Sequence, residues 1–172
     1  MTPSVILGLD LSVTAAAAVA VPCAWDGDWS RVESVVVGER LRRDATDAER
    51  ARRTETIADR LVAFARSTGA TLAFIEGYAF SRVTAAHTLG ELGGVVRLEL
   101  VRAGVELHTV NMASARKLLL GKVPRTDPKV AVFTALRASG ARFETCDESD
   151  AMAVANYGLA ELGGFFFGQV AA

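Results

Sequence analysis

The chain has 172 residues, the length of one domain, and 51% of them are apolar, enough for a sizeable core and too many for a disordered chain. Its formal net charge of −1 does not by itself suggest a nucleic-acid partner. The two cysteines, Cys23 and Cys146, and the two histidines, His87 and His108, lack zinc-ligand spacing, which argues against a disulfide framework or a zinc site and makes the cysteines small buried apolar residues.

The start of the chain reads as neither a leader nor an anchor. Met1 to Ser4 has no basic residue, and Asp10 breaks the first apolar run. Ala15 to Val21 is far shorter than the ~20 residues that cross a bilayer. A soluble, cytoplasmic protein without a membrane partner is expected.

Ser4 to Leu11 reads as a central strand, because Val5 to Leu9 is apolar on both faces. A turn at Ser12 to Thr14 leads to a second strand, Ala15 to Cys23. After the turn signal Asp26-Gly27-Asp28, Arg31 to Arg40 forms a third strand, and strands so close in sequence make an antiparallel meander. From Asp44 to Thr68 the period changes. Ile57, Leu61, Phe64 and Ala65 recur at helical spacing, and Gly69 stops the helix. Thr71 to Glu76 is a short buried strand, Val83 to Ala103 a helix, and Val105 to Val110 a fifth strand. Helices follow at Met112 to Leu120, Lys129 to Ser139 and Glu148 to Leu162, with a basic loop from Pro124 to Pro128. The apolar tail Phe165-Phe166-Phe167 should pack on the core or at a subunit interface. The order predicts an α/β fold: a mixed five-stranded sheet, antiparallel meander plus parallel strands, with helices on both faces. Residues 1–172 read as one domain.

Four carboxylates stand out. Asp10 lies at the end of the first strand and Glu76 at the end of the fourth. If these strands are parallel neighbours, the two acids stand about one strand spacing apart, ~4.8 Å between backbones. Asp147 and Asp150 are three residues apart at a helix start and share one face. Clustered carboxylates in a semi-buried cleft need compensating cations. Oxygen-only ligands favour Mg²⁺ or Mn²⁺, and two such ions can catalyse phosphodiester hydrolysis without a nucleophilic side chain. Each acid also has a local role open to it. Asp10 can cap a turn, Glu76 can begin a solvated loop, and Asp147 with Asp150 can form an N-cap and its capping-box acid.

Charge is unevenly spread. From Val110 to Arg142 there are seven basic residues, Arg116, Lys117, Lys122, Arg125, Lys129, Arg137 and Arg142, against Asp127 alone. From Phe143 onward there are five acids and no base. A basic stretch beside acidic ones suits a phosphate-tracking surface next to a metal cleft.

These residues resemble the RuvC-type Holliday-junction resolvases of the ribonuclease H-like superfamily. The resemblance lies in Gly8-Leu9-Asp10 with the apolar run after it, Ile75-Glu76-Gly77-Tyr78-Ala79-Phe80, and Thr88-Leu89-Gly90-Glu91-Leu92-Gly93-Gly94. It continues in Ala115-Arg116-Lys117 to Gly121 with Lys129-Val130, and in Asp147-Glu148-Ser149-Asp150-Ala151-Met152-Ala153. The matches run in order from about residue 5 to 160. The resemblance implies a ribonuclease H-like sheet and a homodimer that nicks a four-way DNA junction symmetrically. It also implies Mg²⁺ or Mn²⁺, two ions per site, on Asp10, Glu76, Asp147 and Asp150. Lys117 and Lys129 would contact phosphates, with Arg82, Arg116, Lys122 and Arg125 near them. Phe80, or Tyr78, would stack on a base at the junction centre.

There are departures. Leu11-Ser12 replaces the family's Pro-Gly, and Gly77 stands where Gln is common. They fit a divergent member, such as a phage-encoded one, that also cuts flaps, forks or other branched DNA. A nuclease for structured RNA precursors would share the carboxylates. An actin-like kinase would need glycine-rich phosphate turns that Ser12-Val13-Thr14 does not provide. An inactive DNA-binding relative would hardly keep four acids beside a DNA cleft. The helix from Val83 carries an apolar stripe, Leu89, Leu92, Val96 and Leu100, that suits either a dimer contact or the protein's own core.

Overall fold

The computed structural model describes residues 3–77 and 83–164, with side chains for all but 83–86. Strands β1 (Val5–Asp10), β2 (Ala16–Pro22) and β3 (Glu33–Val37) form the antiparallel meander. Helix α1 (Asp47–Thr68) leads to β4 (Leu72–Glu76), α2 (Val83–Arg102) to β5 (Glu106–Val110). Helices α3 (Met112–Leu120), α4 (Pro128–Ala138) and α5 (Cys146–Glu161) complete the order. The sheet runs β3-β2-β1-β4-β5, with β1–β4 and β4–β5 parallel, so the mixed five-stranded expectation holds.

Strand period divides the core in two. Leu7, Leu9, Ala73 and Ile75 point to α1 and α2, where Ile57, Leu61, Leu92, Val96 and Leu100 meet them. Ile6, Val19, Leu72 and Phe74 point the other way, to α3, α4 and α5, through Leu119, Leu136 and Met152. Asp10 and Glu76 continue the even-numbered positions of β1 and β4. Both therefore lie on the α5 face.

Gly8 explains how close α5 comes. A Cβ built there would lie 2.1 Å from the Ala151 carbonyl oxygen and 2.4 Å from the Ala155 nitrogen. Helix backbone rests directly on β1, and no larger residue fits without moving it. At the far end Gly158 admits the Phe74 ring in the same way.

Several expected boundaries shift for local reasons. The third strand is shorter than Arg31 to Arg40. Trp29–Arg31 forms a 3₁₀ turn capped by the Asp28 side chain, and pairing stops at Gly38. Helix α1 begins at Asp47 rather than Asp44, because Thr46 and Glu49 close a capping box. Helix α5 begins at Cys146 rather than Glu148, behind a second box made by Thr145 and Glu148. Cys23 and Cys146 are half-buried, not buried. Of the α2 stripe, Leu92, Val96 and Leu100 are fully enclosed, so it faces the protein's own core. The tail at 165–167 lies outside the described residues. No described helix is long and apolar enough to cross a membrane.

Candidate active site

Leu9 pairs with Ile75 across parallel β1 and β4, so Asp10 and Glu76 follow as neighbours at the two carboxyl ends. Their carboxyl groups are hydrogen-bonded to each other. Two unlike supports fix Glu76: the Gly77 N–H donates to the Val110 carbonyl at 2.8 Å, and Arg97 Nη2 donates to the Glu76 carbonyl at 3.3 Å. Arg97 Nη1 also donates to the Thr109 hydroxyl, tying α2 to the ends of β4 and β5.

The other two acids arrive on α5. Glu148 is the N3 acid of its capping box, accepting from the Thr145 N–H at 2.8 Å and the Glu144 N–H at 2.9 Å. Its second oxygen accepts from the Ser34 hydroxyl at 2.7 Å, clamping the helix start to β3. Capping therefore makes no demand on Asp147 or Asp150, which the sequence left open to that role. Both face the sheet end.

A lysine occupies the centre. Lys129 Nζ lies 2.8 Å from Asp147 Oδ1, 3.0 Å from Asp10 Oδ2 and 3.3 Å from Asp150 Oδ2. It projects from the first turn of α4, which is entered through Asp127 in the left-handed region, φ 49°, and Pro128. Asp127 is the one non-glycine with positive φ among the described residues. Strained backbone of this kind persists where the surroundings hold it.

Arg116 closes the cluster from α3. Its Nε donates to Asp150 Oδ1 at 2.9 Å and its Nη2 to Oδ2 at 2.6 Å, a two-pronged fork on a carboxylate with no solvent exposure.

The electrostatics follow the geometry. Burial pushes Asp10 above the usual carboxylate range, although Lys129 opposes this. Burial, then the hydrogen bond and charge of Asp10, push Glu76 up to about 8. A second negative charge on this pair is therefore disfavoured. Burial disfavours the Lys129 charge, but Asp10, Asp147 and Asp150 together outweigh it and hold the ammonium well above its ordinary value. The Arg116 guanidinium behaves likewise beside Asp150.

The expected acids therefore come together, but around two resident cations. Among the described residues no three acidic, histidine or cysteine side chains are disposed to grip an ion as they stand. The chemistry of the donors still fits one. Every ligand atom is a carboxylate oxygen, and three of the acids already surround a single positive charge.

The basic residues divide into two groups. Lys117, Lys122 and Arg125 are exposed and have no ion-pair partner among the described residues. Arg116 turns inward to Asp150, and Lys129 lies among the acids, so neither lines an outer phosphate track in this arrangement. Tyr78, Phe80 and Arg82 lie outside the described residues. Sequence reasoning missed Arg97 and Glu148. Thr145-Cys146-Asp147-Glu148 carries the capping-box spacing and could have been read from the sequence. Nothing in the sequence pointed Arg97 at Glu76.

No family sequence model and no curated protein sequence matches the chain. Solved structures do. Thermus thermophilus RuvC in complex with Holliday junction substrate matches with a TM-score of 0.68 at 18% identity, covering 92% of this chain and 96% of that one. The yeast mitochondrial Holliday junction resolvase Ydc2 matches at 0.58 and 12% identity, over 87% of this chain and 75% of that one. Fowlpox virus resolvase, in complex with substrate Holliday junction DNA, matches at 0.54 and 9% identity, over 92% and 98%. The chain therefore has the ribonuclease H-like fold of the RuvC-type resolvases.

Proposed function

We propose that this chain is a divalent-metal-dependent endonuclease for branched DNA, with the four-way junction as its principal substrate. The observation that carries the reading is the carboxylate cluster at the carboxyl ends of β1 and β4, under the start of α5, with Lys129 at its centre. A structural role alone does not explain it. Four acids gathered at a sheet end cost desolvation and repulsion that a capping or packing role would not require.

Asp10, Glu76, Asp147 and Asp150 would hold Mg²⁺ or Mn²⁺. Bound there, a hard divalent cation supplies the Lewis-acid charge that activates water and stabilises the leaving oxygen in phosphodiester hydrolysis. The chain's own groups do the rest. Lys129 has 45% of its side chain exposed, so it can exchange the carboxylates for a backbone phosphate. Lys117, Lys122 and Arg125 extend the phosphate contacts without reading sequence. Phe80 or Tyr78, in the segment after Glu76, is the aromatic suited to an unpaired base.

Symmetric nicking of a junction calls for two sites, hence a homodimer. The enclosed α2 stripe cannot supply the contact. Leu98 and Val101, 49% and 57% exposed on the outer side of the same helix, are the better candidates.

A substrate panel tests the reading: labelled four-way junction, fork, flap, linear duplex and structured RNA, each with Mg²⁺, Mn²⁺ or chelator. Preferred cutting of the junction at paired positions supports it. Equal cutting of forks and flaps widens the substrate to branched DNA generally. Cutting of the RNA alone replaces it with RNA processing.

A further inference from the structure

We infer that the connection between β3 and α1 is a second phosphate-binding surface, with Arg40 and Arg43 taking the DNA backbone on the side of the carboxylate cluster away from Lys122 and Arg125. The inference rests on the branched-DNA reading proposed above and deepens it, since the sequence shows a basic stretch only at residues 110–142.

The sheet register places this loop. Asp10 pairs with Ala17 and Ala17 with Val36, so the acid and Val36 stand in one row on one face, two strand spacings or ~10 Å apart. Ala17 is fully buried and Val36 is 37% exposed, so the row runs from the acid to an open apolar edge. Two residues on, Gly38 passes so close to the turn after β1 that a Cβ would lie 2.5 Å from the Thr14 carbonyl carbon. The chain therefore leaves β3 at the same sheet end as Asp10. It then joins α1, which packs on the face opposite α3, α4 and α5. The carboxylate cluster lies between this loop and the α3–α4 connection that bears Lys122 and Arg125.

The arginines here have two kinds of surroundings. Residues 38–53 hold six arginines among four acids. Three of them fasten the loop. Arg53 Nη1 donates to the Glu39 carbonyl at 3.5 Å, Arg50 Nε to the Ala45 carbonyl at 3.2 Å, and Arg42 pairs with Asp44 at 3.5 Å and Glu49 at 3.2 Å. Arg40 and Arg43 are exposed and make no hydrogen bond or ion pair with a described residue. Asp44 and Glu49 are occupied by Arg42, so Glu39 alone among the loop's acids offsets these two charges. A guanidinium presents a planar fork that matches phosphate oxygens. A loop already fastened loses little freedom on binding. A strand crossing the carboxylates is thus held on both sides, by contacts that position it without reading its sequence.

Binding of a labelled four-way junction in chelator, across a salt series, tests this without any cleavage step. The double variant Arg40→Gln/Arg43→Gln should lower the salt slope by about two and weaken binding by at least about tenfold at about 0.1 M salt. The double variant Arg60→Gln/Arg66→Gln removes the same charge from exposed positions further along α1 and should change affinity by less than about threefold. Melting temperatures show that each variant is folded. Should the first double variant not fold, Arg40→Gln and Arg43→Gln should each lower the slope by about one. Equal losses in the two double variants, or none in the first, would overturn the inference and leave the nuclease reading standing. Binding lost selectively in the first variant, with no metal-dependent cutting of any substrate by the wild type, would support this surface and sink that reading. No DNA binding by the folded wild type would overturn both.

Discussion

Asp10 and Glu76 end adjacent parallel strands, brought side by side by the Leu9–Ile75 register one residue earlier, and each carboxyl alters the other's hold on its proton. The contact makes the ion-free protein sensitive to pH in an unusual direction. Glu76 is raised from 4.5 to about 8, so the folded state binds its proton more tightly than the unfolded chain. Its stabilising contribution is complete below about 4.5 and is lost as pH rises through about 8. Thermal unfolding in chelator should show the melting temperature falling across that window, with the fall reduced in Glu76→Gln. A melting temperature that rises from pH 5 to 8 in both proteins would contradict the raised Glu76 carboxyl.

Gly8 sets the distance between β1 and α5. Because the atoms a methyl group would meet are helix backbone, Gly8→Ala must shift α5, at a cost of about 2–3 kcal/mol. The shift carries Asp147 and Asp150 with it. Denaturant unfolding should show the stability loss, and cleavage rate should fall more than the folded fraction does. Wild-type stability and activity in this variant would mean that the helix rests further from the strand.

The two capping boxes separate structural acids from functional ones. Thr145→Ala should cost about 1 kcal/mol, the usual value of a lost N-cap. Asp147→Asn should cost less than that and abolish cleavage. Paired unfolding and activity measurements would show the reverse order if Asp147 served the helix instead.

Exposed bases should contribute to binding through salt. Removing Lys117 or Lys122 should weaken junction binding at low salt and lower the salt slope by about one each. Arg116→Met should not change the slope, because its charge is already taken by Asp150. Binding isotherms across a salt series, in chelator, measure this directly.

The division between what the sequence shows and what it hides is physical. Strand order, face and end position of Asp10 and Glu76 follow from apolar runs and a period of two, so they could be read in advance. The pairing of Asp147 with Asp150 follows from a spacing of three. Their local role was harder to read, because several oxygen side chains compete for one helix start, although the Thr145–Glu148 spacing already carried the capping-box signature. The basic stretch of residues 110–142 was visible as charge, but its inward and outward members were not. Arg116 and Lys117 are adjacent in sequence, yet helix geometry turns one to Asp150 and the other to water. Arg97 reaches Glu76 across a sequence gap of 21 residues, a contact no local pattern announces.

The most direct test of the central claim is a timed digestion of end-labelled four-way junction by wild type, Asp10→Asn and Asp147→Asn, with Mg²⁺ and with chelator. The account predicts paired nicks by the wild type that require Mg²⁺ and fall by about a thousandfold or more in both variants, since each removes a carboxylate that would hold the ion. Metal-independent cutting, or full activity in either variant, would contradict it.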